Sequence, residues 1–244
     1  MSKIPEVKDL LKAGLHFGHR PTIWNPKMGQ FLFGIKGGIN VFNLEKTREK
    51  LAAAAEQLER TVALGGTVLF VGTKPQAKEI IKKYALEAGV PFVTERWLGG
   101  TLTNFGEIRG LVKKWEQLTK DAGSADYEQK YTKKERLIFA EEIAKLEKNI
   151  GGVINLTKLP DLVFVASAHE DKIAVKEAYK KEIPVIAVCD SNTNPVEVDY
   201  IIPGNDDATK AIELVAEVMA GAVQTGKKEL EKNTSKKKEE EDGK

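Results

Sequence analysis

Two spacings of apolar residues alternate along the chain. The runs TVLFVGT (67–73), PFVTERW (91–97), LVFVASA (162–168) and PVIAVCD (184–190) are short, β-branched and nearly continuous. They predict strands buried on both faces. Between them, apolar positions fall three and four apart. In PQAKEIIKKYALEAG (75–89), Ala77, Ile80, Ile81, Tyr84 and Ala85 share one helical face, with Pro75 suited to the first turn and Gly89 to the stop. DKIAVKEAYKKE reads as another helix, and so does DDATKAIELVAEVMAGAVQ after a short strand VDYIIP. Upstream, QFLFGIKGGINVFN predicts a β-hairpin, and Leu44 to Leu64 a long alanine-rich helix. Buried strands spaced by helices specify an α/β domain, doubly wound around a mostly parallel sheet of flavodoxin or Rossmann type.

Residues 104–150 break that rhythm. Ile108, Val112, Trp115 and Thr119 step along one side of a helix, with Leu111 and Leu118 beside them, and Phe139, Ile143, Leu146 and Ile150 repeat the spacing on the return. The polar segment DAGSADYEQKYTKKE between them holds the turn signals. Such a pair predicts an inserted antiparallel coiled-coil hairpin projecting from the sheet domain, which comprises 1–103 and 151–225. The tail 226–244, nearly devoid of apolar residues after Leu230, is expected to be a disordered charged segment.

Charge adds a polarity to this layout. Residues 1–100 carry 15 Lys/Arg against 9 Asp/Glu, whereas 151–225 carry 6 against 12. A basic stretch joined to an acidic one suggests an anionic partner on one side and a different surface on the other. The single cysteine, Cys189, excludes an intrachain disulfide framework and suits a reducing cytoplasm. No run approaches the roughly 20 apolar residues of a membrane helix, and the charged N-terminus lacks a secretory h-region.

Several chemistries can be weighed. A dinucleotide-binding enzyme, the main alternative, wants G-x-G-x-x-G after its first strand. Here the first strand is followed by TKPQA, and HEDK after LVFVASA would repel phosphate. His16, His19 and His169 are the only histidines, and Ser167 lacks the G-x-S-x-G setting of a hydrolase. Asp190, Asp206, Asp207 and His19 could meet at one sheet edge and hold Mg²⁺ or Zn²⁺, but an Asx turn at Asp190 and a helix cap at Asp206 are the preferred reading. No cofactor is expected. Cations interleaved with aromatics, in HFGHRPTIWNPKM (16–28), at Lys36, at Lys74 and at Arg96–Trp97, fit RNA phosphates better. The stretch ERWLGGTLTNF (95–105) reads as a phosphate cradle, with Thr101, Thr103, Asn104 and a helix N-terminus as donors. Trp24 and Trp97 are each read as packing residues.

These segments, taken together, carry a resemblance. KAGLHFGHRPTIWNPKM, NLEKT, FVGTK, RWLGGTLTNF, NLTKLPDLVFV and IPGNDDA, in this order over about residues 3–225, closely resemble the bacterial family of small-ribosomal-subunit protein two. The resemblance implies a non-enzymatic, cytoplasmic constituent of the small subunit near its head–body junction, not a homo-oligomer. Its implied partners are small-subunit ribosomal RNA and neighbouring ribosomal proteins, including protein one. Carried onto matching positions, it implies RNA contact by His19, Arg20, Asn25, Lys27, Lys74, Arg96, Thr103 and Asn104. Lys130, Lys133 and Lys134 at the hairpin tip remain electrostatic candidates.

Overall fold

The computed structural model describes residues 4–124 and 126–242, apart from the side chains of 128 and 236–242. A short helix α1 (Val7–Lys12) opens the chain, followed by an arm with two 3₁₀ turns and a hairpin of β1 (Leu32–Lys36) and β2 (Ile39–Phe42). The hairpin matches the sequence expectation. Its turn residues Gly37 and Gly38 have φ of +61° and +79°, the left-handed pair that a tight hairpin turn requires. Helix α1 was not anticipated, because VKDLLK is too short for a periodic signal and fully buries only Leu10.

The central sheet has β3 (Val68–Val71), β4 (Phe92–Val93), β5 (Leu162–Val165), β6 (Val185–Cys189) and β7 (Tyr200–Pro203), all parallel, in the order β4-β3-β5-β6-β7. Alternate residues serve opposite faces. Val68, Phe70, Phe164, Ile186 and Val188 pack under α2 (Leu44–Ala63), α3 (Lys78–Ala88) and α8 (Thr209–Asp242). Leu69, Val71, Val163, Val165 and Ala187 pack under α7 (Lys172–Lys180), the inserted helices' base and Met28 and Phe31 of the arm. Both faces are covered, which is why these strands read as unbroken apolar runs.

Strand β4 is shorter than the predicted 91–97. It is an edge strand, and beyond Val93 the chain turns away, with Glu95 held by Lys78 at 3.2 Å and Lys148 at 3.7 Å. Helix α3 begins at Lys78 because the amides of Ala77 and Lys78 both bond to Lys74 O, so Pro75 lies in the preceding turn.

The insertion comprises α4 (Phe105–Ala122), one helical turn α5 (Tyr127–Lys130) within the polar segment that holds the turn signals, and α6 (Lys133–Ile150). Helices α4 and α6 pack together, joined by the Lys114–Glu142 ion pair. Thr132 and Glu135 form a capping box at the start of α6. Tyr131 bridges Tyr127 and Phe139, with ring centroids 5.3 and 5.0 Å apart. At the base, Arg109 donates to the carbonyls of Ile154 and Leu156 at 3.0 and 3.2 Å.

The tail departs from expectation. Helix α8 does not stop near 225 but continues to Asp242; positions 243 and 244 lie outside the described residues. Gly226 touches α2 so closely that a Cβ would stand 2.5 Å from Glu59 O. Lys227 Nζ donates to the carbonyls of Ala88 and Gly89 at 2.8 and 2.9 Å, closing the C-terminus of α3. Past these anchors, the Lys- and Glu-rich composition favours helix without any apolar face. No described helix is long and apolar enough to cross a membrane.

Candidate nucleic-acid interface

Parallel strands end on the same edge, so the segments after β3, β4 and β6 converge there. Lys74 follows β3, Arg96 follows β4, and Asp190 follows β6. The N-terminal arm is tied to this edge: Asn25 N–H donates to Ser191 O at 2.7 Å, and His19 N–H to Ser191 Oγ at 2.8 Å. Gly18 fits against Ser191 Oγ, which a Cβ would approach to 3.0 Å. Arg20 and Lys27 therefore ride on the same side as Lys74.

The predicted contact residues divide into two groups. Arg20, Lys27, Arg96 and Asn104 are exposed. Arg20 and Arg96 make no ion pair among the described residues, and Lys27 has only a 3.5 Å contact with Asn194. The Asn25 side chain is used internally, accepting from Lys27 N–H at 3.0 Å to cap a 3₁₀ turn.

His19, Lys74 and Thr103 face carboxylates of the chain itself. Lys74 Nζ lies 2.7 Å from Asp206 Oδ1 and 2.7 Å from Asp207 Oδ1. Burial would lower its pKa, but these two partners outweigh burial and hold it above the ordinary value. His19 Nδ1 is 3.0 Å from Asp190 Oδ1, and Nε2 is 3.4 Å from Asp207 Oδ2. The Asp190 bond raises the His19 pKa against partial burial, with Asp207 and Asp206 adding to the rise. The acidic stretch of sequence is thus not a separate acidic surface. Strand β5 from that stretch pairs with β3 from the basic one, and Thr73 and Lys74 after β3 bond to Asp171 and Asp206.

His19, Asp190 and Asp207 offer donor atoms within 4.8 Å of one another, the one such group among the described residues. Asp190 Oδ2 is buried without a hydrogen-bond partner among them. These three could hold one divalent cation. Asp190 makes no Asx turn: Oδ1 accepts from Ser191 N–H and Oγ–H, one residue on rather than two, and the turn is closed by Thr193 N–H donating to the Asp190 carbonyl at 3.0 Å. Asp206, however, caps nothing: it receives the Ser167 hydroxyl, while Asn205 accepts from the amides of Asp207 and Ala208 in the turn ahead of α8.

Beside it, Asp171 is buried and accepts from Thr73 N–H at 3.2 Å and Thr73 Oγ–H at 2.7 Å. Burial pushes its pKa up to about 6, partly offset by Thr73 and reinforced by Glu170 and Asp206. Strand order reverses between β3 and β5, where a Rossmann domain would take its nucleotide. Here Asp171 and Asp206 occupy that crevice, and both would repel phosphate. Gly72 serves packing, since a Cβ would lie 2.6 Å from Ile81 Cγ1.

The stretch 95–105 needs the largest correction. It does form an anion cradle, but its anion is Glu177 of α7. One carboxylate oxygen accepts from Trp97 Nε1–H at 3.1 Å and Gly100 N–H at 2.7 Å. The other accepts from Leu102 N–H, Thr103 N–H and Thr103 Oγ–H, each at 3.0 Å. Burial alone would raise the Glu177 pKa, yet these donors outweigh it and hold it below the ordinary carboxylate value. Trp97 is 8% exposed and packs in the core, as read; Trp24 is 39% exposed. Thr101 is buried and donates to Leu98 O. Glu177 was missed, although one signal was present: it falls on the helical face of Ala174 and Ala178, an acid among buried positions.

With this geometry in place, the comparison with known families is decisive. A family model described as Ribosomal protein S2 matches residues 10–226. The chain belongs to that family. The match spans both halves of the sheet domain and the inserted helices, and it ends where Gly226 meets α2. The family is structural and not catalytic, and it places the chain in the small ribosomal subunit, a ribonucleoprotein of the cytoplasmic translation machinery, in association with ribosomal RNA and other ribosomal proteins.

Proposed function

We propose that the chain binds small-subunit ribosomal RNA near the head–body junction through the carboxyl edge of its sheet and the base of its helical hairpin. The observation that carries this reading is the set of exposed cations Arg20, Lys27 and Arg96, free of strong internal partners and borne on segments that meet at one edge. Asn104 lies beside them at the start of α4. The hairpin is read as a coiled coil whose exposed Lys133 and Lys134 supply a second, weaker contact; Lys130 is already paired with Asp126 at 3.1 Å.

The same reading includes docking of ribosomal protein one. Support comes from an apolar groove of about 930 Å³ around the β1–β2 hairpin, flanked by Phe17, Phe33 and Ile35, of which Phe33 is 82% exposed. Capture of isolated protein one by the chain, lost in a Phe33→Ala, Ile35→Ala variant, tests it.

For the RNA face, the test is incorporation of the tagged chain into small subunits, read by sucrose-gradient sedimentation, beside binding to small-subunit RNA over a salt series. A variant with Arg20, Lys27 and Arg96 all changed to Ala is expected to leave the subunit peak. Its log–log salt slope should fall by roughly 0.7–0.9 per lost phosphate contact. Full incorporation with an unchanged slope would contradict the proposal.

A further inference from the structure

We propose that Glu177 is the positioning residue of the RNA-facing loop: its carboxylate fills the loop's own anion nest, keeping phosphate out and fixing Arg96 and Asn104 for contact. The inference rests on the RNA reading above and deepens it. Five donors converge on this carboxylate, three of them backbone amides of the loop, and none is a cation. Glu177 is 7% exposed and makes no ion pair among the described residues. Its charge is therefore balanced by dipoles alone, an arrangement that is stable only while every donor stays in place.

The requirement runs in both directions. Without the carboxylate, three amides and the Trp97 indole N–H would lose their acceptor, the Leu102 amide and the indole N–H in a buried setting. Gly100 is the conformational key: its φ of +94° lies in the left-handed region and turns its N–H onto Glu177 at 2.7 Å. A Cβ there would also press on Asn104 Cβ at 3.2 Å. The bonded atoms flank the contact residues directly. Arg96 precedes the bonded Trp97, Thr103 contributes two bonds, and Asn104 follows at the N-cap of α4. Because Glu177 belongs to α7, packed on the sheet, it fastens the loop to the rigid body of the domain.

An external phosphate cannot share the nest. Two anions at one set of donors repel, and the covalently tethered carboxylate has the entropic advantage. RNA is thus met by Arg96 and the outer side of the loop rather than by its inward-turned amides.

The test uses the full chain, following the Trp97 indole and the Gly100, Leu102 and Thr103 amides by ¹H–¹⁵N NMR beside RNA binding. In the native chain these signals are expected to ignore inorganic phosphate. Glu177→Gln keeps the shape but brings an amide group against donors, so all four signals should move and RNA affinity should fall about tenfold or more as the loop side chains lose their fixed places. Glu177→Ala should behave likewise, with acetate restoring both signals and affinity.

Titration of the native signals by inorganic phosphate would overturn the proposal, as would unmoved signals in Glu177→Gln. So would moved signals with unchanged RNA affinity, provided Arg96→Ala does weaken binding. If Arg96→Ala also leaves binding unchanged, it is the RNA face itself that has failed, and this inference falls with it.

Discussion

Lys74 separates two roles that a lysine after a strand can play. As a phosphate ligand, it would lower the salt dependence of RNA binding when removed. As the structure has it, Lys74 is 14% exposed in its side chain and neutralises Asp206, itself 2% exposed. Lys74→Met keeps the apolar stem and deletes the charge, leaving Asp206 with the Ser167 hydroxyl as its remaining hydrogen-bond donor. Breaking one side of a buried ion pair costs about 3–5 kcal/mol; the contact with Asp207, 51% exposed, adds little. We expect a loss near ~3 kcal/mol, equivalent to roughly 6–12 °C in Tm for a chain of this length.

Lys74→Met combined with Asp206→Asn should return to within about 1 kcal/mol of the native chain, because both charges then leave together. Urea unfolding measures these differences. Run in parallel, the salt slope of RNA binding should stay unchanged for Lys74→Met and fall by roughly 0.7–0.9 for Arg96→Ala. A Lys74→Met chain of native stability but with a reduced slope would refute this account and return Lys74 to the RNA.

Asp171 titrates with the opposite sign to a salt-bridged acid. Its folded pKa, raised from 3.8 to about 6, means that stability declines as pH rises from about 4 to about 6 and is flat above; Asp171→Asn should remove that slope and add about 2–3 kcal/mol at pH 7. Urea midpoints across the pH range check this, and a persistent slope would count against it. Gly152→Ala would place a Cβ 2.1 Å from Phe92 O, so a loss of about 3 kcal/mol or more is expected, and a Tm within about 2 °C of native would be inconsistent with that clash. Thr132→Ala removes the capping box of α6 and should cost about 1 kcal/mol, seen as faster amide exchange in its first turn with the sheet amides unaffected.

What was legible in the chain follows from the range of the interactions involved. Strands β3, β5 and β6 and helices α2 and α7 were read within a residue or a few because their burial imprints on consecutive positions. Strand β4 was overextended, since Thr94 to Trp97 carry strand-like side chains while their environment belongs to the hairpin base. The tail was read as disordered from its composition, but Gly226 and Lys227 find partners in α2 and α3, more than 130 positions earlier, that composition cannot reveal. The cradle at 95–105 was recognised as an anion site by its glycines and threonines. Which anion it holds depended on a glutamate over 70 residues away, so a local pattern pointed to phosphate. The internal pairing of Lys74 and His19 was not legible, because their partners Asp206 and Asp207 lie more than 130 positions on.

The middle strands of the sheet have a consequence for how the molecule comes into being. Val68 pairs with Leu162, 94 positions later. At about 5–20 residues per second of synthesis, β3 waits roughly 5–20 seconds for its inner neighbour, with one edge open. The apolar layer above it waits longer, because α2 lies against α8, which follows β7. A protein of the ribosome thus closes its own core only once α8 has been made, and until then its central strand is the place most in need of protection from chance pairing.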